Sequence, residues 1–136
     1  MIKEIVHDPV FLAQKSEPAT QDDAQIAQDL LDTLEAHRSE CVGLAANMIG
    51  EKKNIIVVDN NGRDLLMYNP VIIKATAEYT ATEGCLSLSG ARQCRRYQSI
   101  IVRYRDADFK PQVKPFRGWT AEIIQHEIDH CSGILI

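Results

Sequence analysis

The chain lacks any apolar run near the roughly 20 residues that a bilayer crossing needs. Its start, MIKEIVHDPVFLAQ, has no small-residue cleavage site after an apolar core. These absences argue against a spanning helix and a secretory leader, and they predict a cytoplasmic setting. Cations are not in excess either: 15 Lys and Arg stand against 19 Asp and Glu, a net charge of −4. Neither direct DNA binding nor attachment to an acidic membrane is therefore expected. No repeat, low-complexity tract or linker interrupts the 136 residues, so a single domain over 1–136 is expected. Histidine is scarce, with four in the chain, which makes its placement informative.

What is present is a soluble globular mixture, 45% hydrophobic and 25% charged. The cysteines are Cys41, Cys85, Cys94 and Cys131. Without a leader, paired disulfides are not expected, and a metal-binding or catalytic role for at least one thiol is. The segment TQDDAQIAQDLLDTLEAHRSE predicts the first long helix. Thr20 and Asp23 form a capping-box pattern, and Ile26, Leu30, Leu31 and Leu34 fall on one side. Asp29, Asp32 and Glu35 are left to water. CVGLAANMIG is small and glycine-punctuated, suited to close backbone approach. Strands are predicted on either side of an Asn60-Asn61-Gly62 turn. AEYTATEGCLSLSG is expected to be extended, with a bulge or tight approach at Gly84 and Gly90. A further strand pair should turn near Asp106 to Lys110. GWTAEIIQHEIDHC restores helical spacing, with Trp119, Ile123, His126, Glu127 and His130 on one face. Strands with helices at both ends predict an α+β domain.

Two of the four histidines, His126 and His130, stand four residues apart with Glu127 after the first. One helical turn stacks them on the same side, so both imidazoles can reach one ion. The adjacent carboxylate can then take a proton from metal-bound water. A catalytic metal needs a third protein ligand and an open position. Spacing leaves Cys85, Cys94, Cys131, Glu122 and Asp129 as candidates.

VGLAA, EGCLS and QHEIDH, in this order, closely resemble the three motifs of peptide deformylases. The resemblance implies small mixed or antiparallel sheets packed around a central C-terminal helix carrying HExxH, with an N-terminal helix. It implies Cys85, His126 and His130 as ligands of one divalent metal, with Fe2+ expected and Zn2+ or Ni2+ in purified samples. It implies Glu127 as acid/base, the Leu86 N–H as an oxyanion donor, and Gly43, Gly84 and Leu86 as backbone contacts to substrate. Val42, Trp119 and Ile123 are candidate pocket walls for a methionine side chain. The implied substrate is a formylated peptide or nascent chain, which brings the ribosome in as a partner. Glu83 and Gln125 are read as supporting residues, Arg92 as a solvated arginine, and His7 and His37 as surface groups.

The first motif departs from the family pattern G-x-G-L-A-A-x-Q. Cys41 stands at its first glycine and Met48 at its glutamine. A cysteine is penalised where φ must be positive. A thioether has no N–H to give a developing oxyanion, and losing one such donor costs about 10²–10³ in kcat. The expected function is therefore removal of the N-formyl group from formyl-methionine, with reduced or specialised activity. The alternatives are an amidase for another N-acyl group and a catalytically impaired relative that binds metal or chain ends.

Overall fold

The Asp8 carboxylate accepts the Val10 N–H at 3.0 Å and caps the short helix α1 (Pro9–Leu12). Pro9 sits in the first turn, where a missing donor is tolerated. In the computed structural model, which describes all 136 residues, the predicted capping box is present. Thr20 Oγ1 accepts the Asp22 N–H at 3.2 Å, and Asp23 accepts the Thr20 N–H at 2.8 Å. A 3₁₀ turn at Gln21–Asp23 leads into α2 (Ala24–Ala36).

Leu30 and Leu34 are fully buried on α2, with Ile26 and Leu31 packed beside them. Asp29 corrects the expected polar face: it is only 8% exposed. The N-terminal segment folds back over α2, and the Met1 amino group donates to Asp29 at 2.9 Å. Gln25 Nε2 donates to the same carboxylate at 2.8 Å.

The strands are β1 (Gly43–Ala45), β2 (Ile55–Asn60), β3 (Arg63–Gly84), β4 (Ala91–Arg105) and β5 (Pro111–Arg117). They form one sheet in sequence order, antiparallel throughout. The β2–β3 hairpin turns at Asn61 and Gly62, with φ of 54° and 90°. Such positive φ values match the twist of a two-residue hairpin loop. The β4–β5 turn is held by Asp106, whose Oδ1 accepts the N–H groups of Asp108 and Lys110, each at 3.0 Å. Gly84 is not a bulge: it pairs regularly with Ala91, and the register shifts fall between Tyr68 and Val71 and between Ile72 and Lys74. Residues 85–90 are instead the loop joining β3 to β4, and Gly90 turns it with φ of 82°.

β2 is buried on both faces from Ile55 to Val58. α3 (Gly118–Cys131) lies against β1, β2 and β4, while α2 packs on β2. The core between them contains Leu30, Leu34, Ile56, Ile100 and Ile124. Each such side chain contributes about 1.5–3 kcal/mol by burial. No helix is long and apolar enough to cross a membrane. The site-bearing face of α3 is thus pressed between β1 and the β3–β4 loop.

Candidate active site and metal centre

α3 brings its two histidines together as the spacing requires. His126 Nε2 and His130 Nε2 stand 3.2 Å apart, and Cys85 Sγ is 3.2 Å from His130 Nε2. The thiol comes from the first residue after β3. Four-coordinate ligands at roughly 2.0–2.3 Å from one ion stand about 3.3–3.6 Å apart, so the donor set fits a tetrahedral metal. Cys85, His126 and His130 are the one group of three or more possible ligands within such reach. A thiolate with two imidazoles suits iron, zinc or nickel and not magnesium or calcium.

The other ligand candidates are occupied elsewhere. Cys94 Sγ faces the Ala81 carbonyl at 3.8 Å, and Cys131 is buried in the apolar core. Asp129 pairs with Arg96 at 2.7 Å. Glu122 accepts the Tyr79 hydroxyl at 2.8 Å. All four cysteines are free thiols.

Behind the ligands lies a buried ionic cluster. His126 Nδ1 donates to Glu83 at 2.8 Å, which leaves Nε2 as the ring nitrogen facing Cys85 and His130. Arg96 chelates the Glu83 carboxylate through Nε and a terminal nitrogen at 2.8–3.2 Å. Burial works against ionised Glu83, but the bonds from His126 and Arg96 win and hold it far below the ordinary carboxylate range. Burial likewise opposes charge on His126, yet bonds to Cys85 and Glu83 lift it to about 10. His130 goes the other way, to about 3, through burial and then repulsion by His126 and Arg96. Without metal, His126 thus holds, besides the Nδ1 proton facing Glu83, a second proton on Nε2 facing Cys85. A cation would take the place of that Nε2 proton, as metal binding at such ligands displaces protons.

Glu127 is 4% exposed and its Oε1 has no hydrogen-bond partner. Burial is the main cause that pushes it up to about 7. It flanks Gly43, where an added Cβ would lie 2.7 Å from Ile123 Cγ2 and 3.0 Å from Glu127 Oε2. Gly43 is therefore required by close approach, not by φ. Cys41 carries no strain: it is not among the positive-φ residues, so the penalty anticipated there is absent.

A cleft of about 680 Å³ opens onto this centre. Its walls include Val42, Gly43, Met48, Gly84, Leu86 and Ile123, all expected there, together with Glu127. Trp119, a candidate pocket wall, also lines it, at 62% exposure. It lies in the first turn of α3 and stands at the rim. The Leu86 N–H donates to no group of the protein. Met48 is 1% exposed, and its sulfur accepts the Ala45 N–H at 3.4 Å. Asn47 does not substitute for the missing amide, because its Nδ2 donates to the His130 carbonyl at 2.9 Å.

Gln125 is supporting, as expected: it exchanges hydrogen bonds with the Tyr97 backbone at 2.8 and 2.9 Å. Arg92 reaches only the Ser89 carbonyl, at 3.4 Å. Sequence reasoning missed Arg96. The available signal was its phase, which matches the inward residues Ile100, Val102 and Tyr104 on an alternating strand. It also missed His7, which is exposed but lines the cleft and bonds to the Ser87 carbonyl.

The polypeptide deformylase family model matches residues 2–136. A peptide deformylase of Clostridium beijerinckii is 52% identical over 136 residues, covering the whole of both chains. One of Dictyoglomus thermophilum is 36% identical, over all of this chain and 91% of its own. The actinonin-bound class I type b peptide deformylase of Acinetobacter baumannii superposes with a TM-score of 0.88 at 26% identity, over 99% of this chain and 95% of that one. A peptide deformylase from Legionella pneumophila gives 0.88 at 30% identity, over 99% and 83%. The chain belongs to the polypeptide deformylase family, metal-dependent hydrolases that process protein N-termini.

Proposed function

We propose that this chain removes the N-formyl group from the terminal formyl-methionine of nascent polypeptides. The observation that carries the reading is the meeting of three ligand atoms, two of them from residues that line one cleft, with a buried carboxylate of the same cleft whose Oε1 has no partner. Cys85, His126 and His130 hold the metal, Fe2+ in the native enzyme and Zn2+ or Ni2+ after purification. When bound, the ion supplies Lewis acidity that lowers the pKa of a water and draws charge toward it.

The chain's own residues do the rest. Glu127, poised near neutrality, takes a proton from the attacking water and returns it to the amine nitrogen as the C–N bond breaks. Its Oε1, bound to no protein group, is free for that proton. The free Leu86 N–H donates to the formyl oxygen as it becomes anionic. Val42 and Ile123 take the methionine side chain, while Gly43 and Gly84 let the peptide backbone approach. Met48 cannot donate a hydrogen bond, and its sulfur is itself occupied by Ala45. Turnover is accordingly slower than a glutamine at this position would give. We place the reaction in the cytoplasm, on chains leaving the ribosome, by a single domain spanning 1–136.

The test is formate release from formyl-Met-Ala-Ser by anaerobically prepared, iron-loaded protein, beside Glu127→Ala. Release above background that Glu127→Ala abolishes supports the reading. Absence of release from metal-replete protein refutes it.

A further inference from the structure

Residues 85–90 present Cys85 and Leu86, yet no backbone–backbone hydrogen bond outside the regular elements reaches them. The hydrogen bonds that hold this loop are few. Ser87 N–H donates to Cys85 Sγ at 3.4 Å, and Arg92 reaches the Ser89 carbonyl at 3.4 Å, both from within the same hairpin. Cys85 Sγ meets His130 Nε2 at 3.2 Å at the loop's start; beyond it, over 86–90, the one hydrogen bond from outside the hairpin comes from His7, whose Nδ1 lies 2.8 Å from the Ser87 carbonyl across 80 residues of chain. A carbonyl only accepts, so Nδ1 carries the proton and donates. The preceding residue is anchored as well: the Val6 N–H donates to the Met48 carbonyl at 2.7 Å. Two consecutive residues of the N-terminal segment therefore tie one wall of the cleft, at Met48, to the other, at Ser87.

We propose that His7 is a positioning residue for the Cys85–Leu86 loop: it fixes the Ser87 carbonyl and so aims the Leu86 N–H at the reacting carbonyl. This rests on the deformylase reading of the cleft. The role matters more in this chain because Met48 supplies no second donor, which leaves transition-state hydrogen bonding to a single backbone amide on a sparsely held loop. The strap also explains why an exposed histidine sits at the cleft edge with its ring fixed by a main-chain atom.

The test compares wild type, His7→Ala and His7→Asn as metal-loaded full-length protein. The Asn amide nitrogen occupies nearly the place of Nδ1 and can donate to the same carbonyl. For formyl-Met-Ala-Ser, His7→Ala is expected to lose about tenfold in kcat with KM within twofold, since the aimed donor acts in the transition state. His7→Asn is expected to recover to within threefold of wild type. Amide hydrogen exchange over residues 84–91 gives a second readout that needs no turnover: about tenfold faster in His7→Ala, and restored in His7→Asn. Unchanged exchange in His7→Ala overturns the proposal. Equal impairment of Ala and Asn variants also overturns it, pointing to packing. A rise in KM alone overturns it too, pointing to direct substrate contact. Absence of turnover in wild type would strike the proposed function, while the exchange comparison would still decide whether His7 holds the loop.

Discussion

Met48→Gln separates a slow deformylase from one whose chemistry has moved elsewhere. Met48 is 1% exposed, lines the cleft, and accepts the Ala45 N–H through sulfur at 3.4 Å. Glutamine is close to methionine in length and volume, so the 3₁₀ turn at Ala46–Ile49 should accept it with little repacking. Its Oε1 can take over the Ala45 N–H, and that bond orients the amide. Nε2 then faces the cleft as a new donor beside the Leu86 N–H. A well-aimed oxyanion donor is worth about 10²–10³ in kcat, roughly 3–4 kcal/mol. Alignment by substitution alone is imperfect, so a gain of at least tenfold in kcat is expected. KM should stay within about threefold, because the donor acts in the transition state. With no substrate bound, one amide N–H is left without a fixed partner, at about 1–3 kcal/mol if water does not reach it. Tm should therefore fall by a few degrees, near 3–5 °C per kcal/mol at this size. The assay is formate release from formyl-Met-Ala-Ser at matched iron content, with thermal unfolding alongside. Unchanged kcat in a folded, metal-replete variant refutes the claim that position 48 limits the rate.

Glu127→Gln should lower kcat about 10²–10⁴-fold, and in metal-free protein it should raise stability above neutral pH. The folded carboxyl titrates near 7 against 4.5 unfolded, so the native state holds a proton that the unfolded chain has lost. Wild type then loses stability as pH rises through that window, by about 3 kcal/mol; urea midpoints at pH 5 and pH 8 should diverge for wild type and not for Gln. Gly43→Ala would push its methyl against Ile123 Cγ2 at 2.7 Å and the Val57 carbonyl at 3.2 Å. Chemical denaturation should show a loss of about 1–3 kcal/mol, with kcat lowered through the displaced Glu127. Glu83→Gln replaces the acceptor of the His126 Nδ1–H with a neutral one, so chelator competition should show metal affinity reduced about 10–100-fold.

The helix carrying the histidines was legible because i, i+4 spacing is a local property that folding preserves. So were the capping box at Thr20 and the Asn61-Gly62 turn, where a few adjacent residues determine the geometry. Asp29 was read as solvated because helical phase says nothing about a distant N-terminal segment lying over it. The same limit hid His7, whose partner is 80 residues away. Cys85 could not be told from Cys94 by spacing; only the resemblance singled it out. The fold supplies the reason in physical terms. β3 ends at Gly84, so Cys85 leaves the ladder and turns toward α3, whereas Cys94 stays within β4 facing Ala81.

Arg96 shows why the site needs a scaffold beyond its ligands. α3 buries two imidazoles and a carboxylate within one turn, and a second carboxylate, Glu83, closes on them. Two buried acids beside a ligand set would favour protonation over metal binding, since burial drives carboxyls neutral. Arg96 lies 2.8 Å from Glu83 and 2.7 Å from Asp129, so it neutralises the cluster from the side away from the cleft. Glu83 stays ionised and holds the His126 Nδ1–H, which fixes the tautomer that offers Nε2 to a metal. Glu127 has no such cation in contact and remains near neutrality. Two glutamates on adjoining walls thus acquire opposite roles from their partners alone. Removing Arg96 would strand buried charge at about 3–5 kcal/mol, and by freeing Glu83 to protonate it would loosen His126 before it touched Glu127.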